Sequence, residues 1–124
     1  MGALTIEQQR EKLEYLETFA RMIWGGERSM STAVTVVARL HPASESVEQA
    51  AAVVRAALAG IRAEDGCLQY DPHLADDGSF LIVERWASRD ALDAHSTGAP
   101  VQVLREGLEG LTTAPAEVTV AEAL

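Results

Sequence analysis

The stretch Phe80-Leu81-Ile82-Val83-Glu84-Arg85-Trp86 decides the fold. Successive side chains of an extended chain point to opposite faces. Phe80, Ile82 and Trp86 therefore share one face, while Leu81 and Val83 occupy the other. An antiparallel sheet with one wet side alternates apolar and polar residues, and this strand does not. Helices can cover one face; the second needs a cover of its own, and the least costly one is the same sheet of another copy about a two-fold axis.

Outward from this strand, the period repeats and then changes. Upstream, Ala33 to His41 alternates in a β-branched run, with Val34, Val36, Ala38 and Leu40 on one face, and Pro42 ends it. Ser46 and Gln49 stand at capping-box spacing, and Val47, Ala50, Ala51, Val54, Leu58 and Ile61 recur at helical spacing until Asp65-Gly66. Cys67–Asp71 and Ser79–Ala87 read as two strands joined by the turn-rich Pro72–Gly78 stretch. Ser88 is placed to cap a short helix over 90–95, and Pro100 suits the first turn of another, with Val101, Leu104, Leu108 and Leu111 on its buried side. After Pro115, Glu117–Ala121 alternates again as a last strand. The order β-α-β-β-α-β is a ferredoxin-like α+β fold with an antiparallel sheet.

The chain divides at Gly25-Gly26. Residues 1–29 hold five acids and four bases, whereas the rest hold fourteen acids and six arginines. In the first segment Ile6, Leu13, Leu16, Ala20 and Ile23 form one stripe of an amphipathic helix over 4–24, followed by a Gly-Gly linker. Such a helix must dock on its own domain or a partner subunit, or capture another protein; Met30 as an alternative start leaves open that residues 1–29 are an added extension or fusion. Residues 30–124 form the second unit. The 124 residues are 48% hydrophobic, enough for one packed domain. A net charge of -9 opposes binding to nucleic acid or to an anionic membrane surface. No apolar run approaches the roughly 20 residues of a membrane span. Glu7, Glu11 and Glu14 are unlike a secretory signal, so a cytoplasmic location is expected. Cys67 is the single cysteine and the three histidines are scattered, so neither a disulfide nor a metal site is expected. Gly25-Gly26 precedes a strand, unlike a dinucleotide or phosphate fingerprint.

Three segments together carry a resemblance: Glu64-Asp65-Gly66-Cys67-Leu68-Gln69-Tyr70, the strand 80–86, and Ala87-Ser88-Arg89-Asp90-Ala91-Leu92-Asp93-Ala94-His95. Over about residues 33–121 the chain resembles the antibiotic biosynthesis monooxygenase domain family. The resemblance implies a dimeric α+β barrel, in which two sheets pack face to face as a homodimer. It also implies oxygenation of an anthrone-like or quinol-like aromatic substrate with O2 and no metal, flavin or haem.

By the same resemblance, Trp86, His95 and Tyr70 are the expected catalytic residues. Trp86 would wall the substrate or donate its indole N–H, His95 would accept a proton, and Tyr70 would offer its hydroxyl to an oxyanion. Each has a plain structural alternative as a packed or hydrogen-bonded core side chain. An apolar pocket between helices and sheet is expected from Val36, Ala38, Phe80, Ile82 and Leu104. Members that orient substrate with a strand-one asparagine would place it near Ala38, which offers no side-chain hydrogen bond. His41 and His73 read as solvated, Cys67 as a small apolar residue, and Glu84 as a carboxylate needing a partner such as Arg39 or Arg85 across the dimer. Similar barrels act as cyclases, isomerases or decarboxylases, and a non-catalytic scaffold displaying helix 4–24 is a further alternative.

Overall fold

A computed structural model describes residues 32–124; the expected helix over 4–24 and its linker lie outside the described residues. The strands are β1 (Val34–Pro42), β2 (Cys67–Leu74), β3 (Phe80–Trp86) and β4 (Thr112–Glu122). The helices are α1 (Val47–Arg62), α2 (Arg89–Ser96) and α3 (Ala99–Leu108). The sheet is antiparallel in the order β2-β3-β1-β4, so β3 and β1 are central. This is the α+β ferredoxin-like arrangement, with all helices on one face. Among the described residues, no helix is long and apolar enough to cross a membrane.

Register explains what meets what. Tyr70 pairs with Glu84, Glu84 with Val36, and Val36 with Val120, one row across the helix-covered face. The next row on that face runs from Ile82 through Ala38 to Val118. Ala50, Val54 and Ile61 of α1 pack on this face with Phe80, Trp86 and Val34, forming most of the core. The helices reach less far over β4, where Val118 and Val120 remain 60% and 37% exposed. On the helix-free face Val37 opposes Val83; Val37 is exposed and Leu81 and Val83 are half-buried.

Three local expectations are corrected. Ser46 does not close a capping box: it ends a 3-10 turn (Ser44–Ser46) with φ -113° and ψ 4°, and its side chain makes no cap bond. An N-cap oxygen reaches the helix N–H groups from extended backbone, which Ser46 lacks. The hairpin loop is shorter than expected, because β2 continues through Pro72 and His73 to Leu74. Likewise β4 begins at Thr112 and runs through Pro115. Both prolines lie on the two edge strands, where half of the N–H groups face away from the sheet and a proline is tolerated. At Pro115 the register slips between Arg39–Glu117 and His41–Ala114, a bulge that absorbs the irregular residue.

Candidate active site

The turn after α1 and the start of α2 build the site together. Gly66 has φ 81°, and an added Cβ there would stand 2.5 Å from the Ala91 Cβ, so only glycine lets this turn lie against α2. The turn is held by Ala87 N–H donating to the Gly66 carbonyl at 2.8 Å. α2 starts where Ser88 accepts from the Ala91 N–H at 3.1 Å, a side-chain N-cap directly after β3. His95 is one helical turn beyond Ala91 on the same helix face. It is thereby delivered over the sheet and beside Glu64.

His95 is buried. Its ring stacks on Trp86 with centroids 4.4 Å apart and planes 29° apart, and Tyr70 meets it edge-on at 5.9 Å and 61°. Nδ1 lies 2.9 Å from Glu64 Oε1, and Nε2 lies 3.9 Å from Glu84 Oε1. That same Glu84 oxygen accepts a hydrogen bond from Trp86 Nε1 at 2.9 Å. Glu84 thus finds Trp86 and His95 on the helix side of the sheet, whereas Arg39 hydrogen-bonds Ser79 at 2.6 Å.

Burial pushes the Glu84 carboxyl above its ordinary value, against the lowering influence of the Trp86 N–H and of His95; Glu64 adds a further push upward. Burial also drives the Tyr70 phenol upward, reinforced by Glu84, so it remains a neutral hydroxyl through neutral pH. The Cys67 thiol is likewise raised by burial, which keeps it a thiol rather than a nucleophilic thiolate.

A cavity of about 320 Å³ opens between the sheet and α2 and α3. Val36, Ala38, Ile82 and Leu104 form apolar wall, and Tyr70, Glu84 and His95 also line the cavity. Arg105, Glu109 and His41 also border it, and His41 pairs with Glu117 of β4. Two of the expected residues lie elsewhere. Phe80 lines a separate cleft of about 90 Å³ with Ala51, Val54 and Arg55 of α1. Trp86 is completely buried and borders no part of the cavity; it touches His95 and Glu84 from behind. Glu64 was not among the expected site residues, since a carboxylate one position before Asp65-Gly66 looks like the frayed end of a helix. Among the described residues, no group of three or more His, Cys, Asp or Glu side chains is arranged to hold a metal ion.

The family model described as antibiotic biosynthesis monooxygenase matches residues 33–107. The chain belongs to this family. Rv0793 of Mycobacterium tuberculosis is 37% identical over 92 residues, covering 73% of this chain and 91% of that protein. The solved Rv0793 structure superposes with a TM-score of 0.70 at 35% identity, covering 75% of this chain and 96% of that one. PA3566 of Pseudomonas aeruginosa aligns at 31% identity with a TM-score of 0.69, covering 78% and 99%. A Caulobacter crescentus protein at 20% identity shares the fold, with a TM-score of 0.71 over 77% of this chain and 92% of that one. Glu64, Tyr70, Glu84, Trp86 and His95 all fall inside the matched span of the antibiotic biosynthesis monooxygenase model, whereas β4 lies beyond it.

Proposed function

We propose that the protein is a monooxygenase that inserts one atom of O2 into an electron-rich aromatic substrate, an anthrone or quinol of polyketide type, with the substrate as its own reductant. Family membership and the name of Rv0793, a candidate monooxygenase, supply the reaction class. The observation that carries the substrate class is the cavity: an apolar wall of Val36, Ala38, Ile82 and Leu104 with Tyr70, Glu84 and His95 against it and His41, Arg105 and Glu109 at its border, at about 320 Å³ near the lower bound of roughly 300–1,000 Å³ for ligand clefts. A compact, largely apolar molecule with one acidic C–H or O–H fits that description.

The chemistry follows from these groups. Triplet O2 reacts poorly with closed-shell molecules but accepts one electron from a carbanion or phenolate. His95 takes the substrate proton, and the resulting anion passes an electron to O2. The radical pair then combines to a peroxide. Loss of the second proton from that carbon with O–O cleavage leaves a ketone and water. An anthrone methylene thus supplies all four electrons, one oxygen enters the product, and the other leaves as water. Tyr70, kept neutral, donates to the oxyanion, and the apolar wall excludes bulk water from the anion. Ala38 makes no side-chain hydrogen bond, so Tyr70, Glu84 and His95 carry all orientation by side chains at that end of the cavity. A second copy covers Val37, Leu81 and Val83, completing the homodimeric barrel.

An oxygen electrode with anthrone and substituted dihydroquinones tests the reading. Uptake should appear with the wild-type protein and fall by at least about a hundredfold in His95→Ala, the lower range for loss of a general base. Uptake equal in both proteins would overturn it. Because His95 lies between two carboxylates, proton transfer without oxygen, an isomerase or decarboxylase chemistry, is the second reading; product formed under nitrogen would select it.

A further inference from the structure

A neutral imidazole carries one N–H and one lone pair, and which nitrogen holds the proton determines which can act as a base. His95 has different neighbours at its two nitrogens. Nδ1 is 2.9 Å from Glu64 Oε1, within hydrogen-bond reach. Nε2 is 3.9 Å from Glu84 Oε1, beyond it, and that oxygen already receives the Trp86 N–H. Glu84 and His95 both line the cavity, whereas Glu64 does not.

Glu64 is held in place independently of His95. Its turn is fixed by Gly66 against Ala91, and the Glu64 N–H donates to the Ile61 carbonyl at 3.0 Å. A Cβ at Gly98 would come within 3.2 Å of Glu64 Oε2, so the bare backbone at the N-cap of α3 leaves room for the second carboxylate oxygen. The other groups around the ring do not compete for Nδ1. Tyr70 of β2 meets the ring by its edge, Glu84 of β3 stands on the Nε2 side, and Arg105 of α3 donates to the neighbouring Ser96 carbonyl at 3.1 Å. Cys67 of β2 feels both carboxylates and is itself raised toward the neutral thiol.

We infer that Glu64 is the positioning residue of the site: it accepts the Nδ1–H of His95, fixes that tautomer, and so turns the Nε2 lone pair toward the substrate proton in the cavity. This rests on the reading of His95 as the proton acceptor. Glu64 touches no substrate and acts through the ring alone.

The test uses uniformly 15N-labelled full-length protein at neutral pH, with long-range proton–nitrogen spectra of the imidazoles. The protein has three histidines, so His95→Gln assigns the signal and His41 and His73 serve as internal controls. The wild type should show Nδ1–H at His95. Glu64→Ala should move the ring toward Nε2–H, whereas Glu64→Gln, whose amide oxygen can still accept, should keep Nδ1–H. In turnover, Glu64→Ala should lose kcat by about a hundredfold with KM within about twofold, and Glu64→Gln should recover most of it. Nε2–H or an imidazolium in the wild type, an unchanged tautomer in Glu64→Ala, or a KM rise at constant kcat would overturn the inference. The spectra need no substrate. A tautomer switch in a protein that oxidises no tested anthrone would uphold Glu64's role while defeating the oxygenase reading.

Discussion

Gly66→Ala should unfold the site by way of a single methyl group. Two costs add. A side chain at φ 81° enters the left-handed region, at roughly 1–2 kcal/mol. The new Cβ would also stand 2.5 Å from that of Ala91, and overpacking of this kind costs about 1–3 kcal/mol. Reduced entropy of the unfolded chain returns about 0.4–1 kcal/mol. The net expectation is a loss of about 1–4.6 kcal/mol, or roughly 5–30 °C in Tm for a domain of this size. Urea denaturation measures it, and Ala91→Gly separates the parts. The double variant should recover the steric share, a coupling of about 1–3 kcal/mol, but not the backbone share. A Gly66→Ala protein within about 0.5 kcal/mol of wild type, or additive behaviour of the pair, would refute the claim that this close approach sets the turn carrying Glu64.

Glu84→Gln should become increasingly stable relative to wild type as pH rises from the ordinary carboxyl value of 4.5, because the folded wild type holds a proton that its unfolded chain releases. Denaturation midpoints between about pH 4 and 8 would show this, and a difference that stays level with pH would contradict the burial of Glu84 as the dominant influence. Ala38→Phe, pointing from β1 into the cavity, should leave the fold intact but weaken binding of an anthrone by at least about tenfold, near 1.4 kcal/mol by calorimetry; unchanged affinity would place the ligand elsewhere. Val83→Asp, set beside Val37 on the helix-free face, should convert the proposed dimer into monomers in sedimentation; a wild type that sediments as a monomer, or an unaltered coefficient in the variant, would exclude that face as the contact.

Most of the fold was legible because period-2 and period-3.6 patterns report which face is apolar. Val34, Val36, Ala38 and Leu40 declared the covered face of β1, and Ala50, Val54 and Ile61 that of α1. What periodicity does not convey is position along an element. Phe80 shares a face with Ile82 and Glu84, but it lies at the end of β3 that α1 covers, so it packs outside the cavity. Trp86 lies at the other end, sealed beneath His95. The ends of β2 and β4 were misread for another reason: proline interrupts a central strand but not an edge, and strand order is a tertiary property. Glu64 was invisible because its role depends on the turn at Gly66 bringing together groups 31 residues apart. Glu84 announced a need for a partner, but not that the indole two residues along the same strand would meet it.

Turnover of an anthrone under 18O2, followed by mass spectrometry of the product and by the oxygen consumed, tests the oxygenase reading most directly. One labelled oxygen in the new carbonyl, one O2 consumed per product, and loss of both signals in His95→Ala are the predicted results. Product lacking the label, or label incorporated equally by His95→Ala, would contradict the assignment of the chemistry to this cavity.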